Sequence, residues 1–199
     1  MEATNFLISG VGGQGVILAS EVIATVGLAA GYDVKKSEIR GVAQRSGSVA
    51  GHVRWGQEVQ SPIVPEGCAD YLVALEILEG LRWLDEIGPE GTIIINEQEI
   101  PPVSMAGEAI NYPDPGMVKK ALQTAAERVF RVPALEMAQQ LGNPRVLNVI
   151  LLGVLSASLS VAPRVWEDVL RDRLPSRVLD LNLKAFGRGR AWLEETRHR

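Results

Sequence analysis

The chain has 199 residues but only one cysteine, Cys68, and two histidines, His52 and His198, far apart in sequence. A lone cysteine cannot close a disulfide within the chain, ligate an iron–sulfur cluster or build a cysteine-rich zinc site. Two distant histidines do not make a self-contained metal centre. Any redox chemistry must therefore use a bound organic cofactor or a partner chain. An excess of positive charge is also missing. The formal net charge is −4, so nucleic acid is a poor partner, because phosphate binding normally needs a basic face.

Long apolar runs are missing too. The most apolar stretch, Val146 to Ala162, falls short of the ~20 residues needed to span a bilayer, and it contains Asn148, Ser156, Ser158 and Ser160. It reads as a buried core helix, and no membrane association is expected. Met1-Glu2-Ala3-Thr4-Asn5 has no positive n-region, and no apolar run with a cleavage site follows. The expectation is a soluble, cytoplasmic protein. With 46% apolar residues, the chain can bury one substantial core as a single domain over residues 1–199.

The apolar run Phe6-Leu7-Ile8 predicts a buried strand, followed by the turn Gly10-Val11-Gly12-Gly13-Gln14-Gly15. Val16 to Ala30 reads as a helix closed by Gly31, and Tyr32 to Lys35 as a second strand. That order predicts a parallel pair joined by a right-handed crossover. Ser48 to Trp55 alternates Val49, Gly51, Val53 and Trp55 with Ser48, Ala50, His52 and Arg54, as in a strand with one polar face. Gly56-Gln57-Glu58 suits a turn into a short strand ending at Ser61-Pro62. Tyr71 to Leu75 and Thr92 to Ile95 read as strands. Leu78 to Ile87 reads as a helix ended by Gly88-Pro89.

Residues 96–113 read mostly as loop. Further on, Pro115 to Arg128 is expected to be helical, with Asp114 and Pro115 at its start. Val129 to Val132 should be an edge or final strand. Ala134 to Leu141, Val146 to Val161, Arg164 to Arg171 and Val178 to Thr196 read as helices. The sum is an α/β fold. It is a single three-layer Rossmann-like domain with a mostly parallel sheet, helices on both faces and a helical C-terminal third.

Gly10, Gly12 and Gly15 fit G-x-G-x-x-G between a strand and a helix. Small residues let the backbone approach a phosphate, and the first N–H groups of the helix face it. A dinucleotide fold also wants an acidic residue at the end of the second strand. Here Lys35-Lys36 stand there, with Asp33 too early and Glu38 too late, which weakens an NAD reading. The turn can equally be a tight strand-to-helix connection that binds nothing.

Residues 37–48, Ser-Glu-Ile-Arg-Gly-Val-Ala-Gln-Arg-Ser-Gly-Ser, are the least generic stretch. Arginine forks suit carboxylate or phosphate recognition, and glycines permit close backbone approach. His52 and Arg54 should share a strand face, which costs free energy unless that face is wet or paired. An anion or subunit contact and a locally paired surface loop both fit. Cys68 reads as a small apolar filler, and His198 as solvated.

Taken together, the glycine turn Gly10, Gly12, Gly13, Gln14, Gly15, then Arg40-Gly41 with Gln44-Arg45-Ser46-Gly47-Ser48-Val49 and His52-Val53-Arg54, resemble the gamma-type domain of 2-oxoacid:ferredoxin oxidoreductases. Within that family the chain is most similar to small subunits of the indolepyruvate type. Asn148-Val149-Ile150-Leu151-Leu152-Gly153 is similar to the family's Asn-x-x-x-Leu-Gly helix. Leu181 to Gly189 is similar to its C-terminal Asn-x-x-Ala-Phe-x-x-Gly pattern. Ser46 departs from the family, which usually has glycine there.

The resemblance implies a division of labour. Thiamine diphosphate, Mg2+ and the iron–sulfur clusters belong to a large partner subunit, and none is bound by this chain alone. Coenzyme A is the co-substrate, and ferredoxin is reduced by the complex. The whole would decarboxylate a 2-oxoacid, such as an arylpyruvate, oxidatively to its acyl-CoA. Residues expected to bind a cofactor or touch the partner are Gly10, Gly12, Gly13, Gln14, Gly15, Arg40, Gly41, Gln44, Arg45, Ser46, Gly47, His52 and Arg54, with no catalytic residue assigned. Three alternatives stay open: a stand-alone NAD(P)- or flavin-binding oxidoreductase, a non-catalytic scaffold subunit, and a homodimer.

Overall fold

The computed structural model describes residues 3–40, 47–101 and 112–198. Six strands form one sheet in the order β2-β3-β1-β4-β5-β6. They are β1 (Thr4–Val11), β2 (Asp33–Arg40), β3 (Ser48–Gly56), β4 (Ala69–Ala74), β5 (Ile87–Asn96) and β6 (Arg128–Val132). Among the described residues there are seven α-helices. These are α1 (Val16–Ala29), α2 (Ile77–Leu81), α3 (Pro115–Ala125), α4 (Ala134–Gln140), α5 (Leu147–Ala157), α6 (Pro163–Arg173) and α7 (Ser176–Arg197).

The sheet is mixed. β1, β4, β5 and β6 are parallel neighbours, whereas β3 pairs antiparallel with both β1 and β2. β1 and β2 do run the same way, but β3 lies between them, so they are not the adjacent pair that strand-helix-strand order suggested. β2 and β3 are antiparallel neighbours, and the other edge of β3 lies against β1.

Side-chain alternation on the sheet sets up two cores. Phe6 and Ile8 of β1, Val53 and Trp55 of β3, Val73 and Ile94 face α1, α4, α5, α6 and α7. Leu7, Leu72, Ala74, Ile93 and Ile95 face α2 and α3 on the other side. A run of aromatic rings ties the first core together: Tyr32 stacks on Trp55, Trp55 touches Phe6 and Trp166, and Trp166 stacks on Phe186. Leu147 to Ser156 of α5 are all buried, as expected of a core helix. No helix among the described residues is long and apolar enough to cross a membrane.

α5 and α7 touch backbone to backbone. A Cβ built on Gly153 would lie 2.2 Å from the Phe186 carbonyl oxygen, and one on Gly189 would lie 2.0 Å from that of Ile150. Glycine is what permits this approach.

Other expectations need correction. Residues 57–65 form no strand. Pro62 and Pro65 remove two ladder donors, and side chains of neighbouring strands hold this loop instead. The helix expected over 78–87 stops at Leu81, and a 3-10 turn covers Leu84–Glu86. Gly88-Pro89 lies inside β5, next to an irregularity in the β4–β5 register. β2 runs past Lys35 to Arg40. Cys68 is exposed rather than a filler.

Candidate functional site

At the carboxyl end of β1 the chain turns sharply into α1. Gly13 and Gly15 have φ of 100° and 94°, a region that L side chains rarely enter. Gly10 ends the buried part of β1, where a Cβ would come within 2.9–3.0 Å of Val16, Gln14 and Leu75 side-chain atoms. The Gly12 N–H donates to the Gly47 carbonyl at 2.9 Å. The glycine turn and the start of β3, two stretches marked out in the sequence, are thus joined.

Gln14 closes the turn on its other side. Its Oε1 accepts the Val11 N–H at 2.8 Å, and its Nε2 donates to the Leu75 carbonyl at 3.0 Å and to Gln98 Oε1 at 3.1 Å. Asn96 Nδ2 donates to the same two acceptors. One side chain therefore links the carboxyl ends of β1, β4 and β5. In open α/β sheets that crevice is where ligands bind. Here the Gln14 carboxamide fills part of it.

Beside it lies Glu76, fully buried at 0% exposure. Its carboxylate accepts the Glu79 and Ile100 N–H groups at 2.8 and 3.1 Å, and the Tyr112 hydroxyl. Burial and the Glu76 acceptor push the Tyr112 phenol well above its ordinary range. Glu79 in turn accepts from the Ser48 hydroxyl and from Arg82. Sequence reasoning missed Glu76, Asn96, Gln98 and Tyr112. The one local sign was an acidic residue between a strand and a helix, in the cap position that Glu76 occupies.

His52 and Arg54 project from β3 onto the sheet face away from α1 and away from the glycine turn. His52 is 3% exposed, and its Nδ1 accepts the Val64 N–H at 3.2 Å. Its ring meets that of Trp83 edge-on, with centroids 5.7 Å apart. Burial pulls the imidazole pKa down. Arg54 donates to Asn5 Oδ1 at 2.8 Å and to the Ser61 and Ile63 carbonyls. That face is therefore paired, with residues 57–65 as its cover. Arg40 is the last residue of β2, opposite Val49. Gly41, Gln44, Arg45 and Ser46 lie outside the described residues.

The turn would be a poor dinucleotide site for a second reason. The end of β2, where a ribose-binding acid should stand, is separated from β1 by β3. Among the described residues, no group of three or more His, Cys, Asp and Glu side chains is placed to hold a metal ion. A cleft of about 950 Å³ opens at the opposite, amino end of the parallel strands, lined by Asn5, Arg54, Cys68, Tyr71, Gly91 and Arg128 among others. Its arginines are already engaged, Arg54 as above and Arg128 with the Glu90 carbonyl.

Comparison with known proteins agrees with this fold. The indolepyruvate oxidoreductase subunit IorB of Thermococcus kodakarensis is 34% identical over 192 residues, 95% of either chain. The subunit of the same name from Methanothermobacter thermautotrophicus is 37% identical over 188 residues, 93% of this chain and 95% of that one. The crystal structure of a keto/oxoacid ferredoxin oxidoreductase gamma subunit from Geobacter sulfurreducens superposes with a TM-score of 0.70, covering 96% of this chain and 99% of that one at 22% identity. With residues 5–192 matching the family described as pyruvate ferredoxin/flavodoxin oxidoreductase, the chain belongs to that family.

Proposed function

We propose that this chain is the small subunit of a 2-oxoacid:ferredoxin oxidoreductase of the indolepyruvate type. The observation that carries the reading is end-to-end similarity, at 34% and 37% identity, to two subunits of that name. The complex would oxidatively decarboxylate an arylpyruvate, pass the acyl group to coenzyme A and reduce ferredoxin in the cytoplasm.

Thiamine diphosphate, Mg2+ and iron–sulfur clusters belong to the large partner in this reading. The residues here do not fit an iron–sulfur cluster: Cys68 is alone, and the described residues hold no group of three or more His, Cys, Asp and Glu placed to ligate metal. The chain's own contribution is a preformed surface. The turn Gly10 to Gly15, braced by Gln14 and by Gly47, and the sequence segment holding Arg40, Gly41, Gln44, Arg45 and Ser46 are the proposed contact with the partner or with coenzyme A. A stand-alone nucleotide-binding enzyme is disfavoured by the Gln14 carboxamide in the crevice.

The test is co-expression with a large thiamine- and cluster-bearing subunit. Arylpyruvate- and coenzyme A-dependent reduction of ferredoxin is expected from the pair and from neither chain alone. Full decarboxylating activity from the isolated chain would overturn the reading. Arg45→Ala separates contact from chemistry: loss of complex yield with unchanged turnover per complex marks a scaffold, and loss of turnover in an intact complex marks a direct role.

A further inference from the structure

Loop 57–65 has no secondary structure, yet it covers one face of the sheet. Four hydrogen bonds to three strand residues hold it. The Val59 N–H donates to Asp33 Oδ2 at 2.8 Å, Arg54 donates to the Ser61 and Ile63 carbonyls, and the Val64 N–H donates to His52 Nδ1. The loop runs on through Pro65, Gly67 and Cys68, which line the amino-end cleft together with Arg54.

We infer that His52 is a positioning residue that latches loop 57–65, and with it the wall of the amino-end cleft, and that the latch holds only while the imidazole is neutral. The chemistry is specific. An imidazole that accepts at Nδ1 must carry its proton at Nε2. His52 Nε2 is buried, and among the described residues it has no hydrogen-bond partner. A second proton can enter only at Nδ1, where it would replace the Val64 N–H with donor facing donor.

The aspartates on this side of the sheet are already engaged, Asp33 by Lys35 and the Val59 N–H and Asp70 by the Asn5 N–H. Ser37 stands opposite His52 on β2, with Lys35 two residues away; Leu7 stands opposite on β1, with Asn5 two residues away. Arg54 is the next residue on the same face of β3. Trp83 meets the ring from the turn after α2, and nearby Glu79 is already taken by Ser48 and Arg82. Two of the charged neighbours, Lys35 and Arg54, are cations that oppose protonation.

The scarcity of histidine makes the test clean, because the ring signals of His52 and exposed His198 are the only two in the NMR spectrum. His52 should appear as the Nε2–H tautomer at pH 7.5 and titrate below the ordinary histidine range. Protection of the Val64 amide against exchange should fall about tenfold per pH unit below 6.5 until His52 itself titrates. It should start at least about a hundredfold below that of core Val73, marking a local opening. In His52→Phe the Val64 amide should exchange at least about tenfold faster at pH 7.5 and lose this dependence.

An Nδ1–H tautomer would overturn the latch. So would Val64 protection indifferent to the His52 titration, measured on the unmodified chain if His52→Phe does not fold.

Discussion

Gly15 and Asn148 are 133 residues apart in sequence and in contact in the fold. The Asn148 Nδ2 donates to the Gly15 carbonyl at 3.4 Å, and a Cβ on Gly15 would lie 2.2 Å from that nitrogen. The turn that opens α1 is thereby seated on the first turn of α5. Gly15→Ala adds both this clash and the cost of a side chain at φ 94°. We expect a loss of roughly 2–4 kcal/mol from these two effects together, read from urea unfolding. In Asn148→Ala the same substitution should cost less, so the double-mutant cycle should be non-additive.

Gln14→Ala removes three hydrogen bonds and leaves the Val11 N–H without its partner. A destabilisation of about 1–3 kcal/mol is expected. In the unaltered protein, calorimetric titration with NAD(H), NADP(H) or FMN should give no micromolar binding, because the carboxamide stands where the ligand would lie. Micromolar binding of any of them would show that Gln14 moves aside.

Stability should depend on pH through His52. Its folded pKa lies below the ordinary histidine value of 6.5, because burial penalises the charged form. The folded state therefore binds fewer protons than the unfolded one between these two values. The His52 contribution is full above 6.5 and is lost as the pH falls towards the folded pKa, at up to about 1.4 kcal/mol per pH unit. Thermal midpoints at a series of pH values should show this slope, and His52→Phe should flatten it.

Gly189→Ala and Gly153→Ala each drive a methyl into a helix backbone. Carbonyl oxygens cannot swing aside as a flexible side chain can, so α5 and α7 must separate. A loss of about 1–3 kcal/mol or more is expected for either. Differential scanning calorimetry on both variants checks it. Gly187→Ala is the control, since a Cβ there meets nothing within 4 Å.

Much of this fold is legible in the chain because single elements announce themselves. The Phe6-Leu7-Ile8 run, the glycine turn and the apolar stretch of α5 each follow from local pattern. What fails locally depends on partners far away. The stretch after Gly56-Gln57-Glu58 and up to Ser61-Pro62 looks like a short strand until Asp33 and Arg54 are known to hold it, and His52 the residues that follow. The antiparallel entry of β3 between β1 and β2 leaves no trace in periodicity, since alternation is the same in either direction.

The docking stripe of α7 includes Asn182 and Gly189, both buried, which no count of apolar residues would select. Of the site, the turn itself was visible. Its bracing by Leu75, Gln98 and Asn148 was not, since those residues come from three later segments.

The aromatic run from Tyr32 to Phe186 bears on synthesis. A ribosome releases the sheet strands before α6 and α7, and Trp55 leaves the tunnel long before Trp166, which packs on it, and Phe186, which packs on Trp166. Until α6 and α7 emerge, the part of this face that they cover beside α1, α4 and α5 stays open to water and to other chains. The nascent protein is therefore most exposed to aggregation just before α6 and α7 are made, and truncation within α7 ahead of Phe186 should be far more damaging than the loss of a surface helix, because it removes Phe186 from this core.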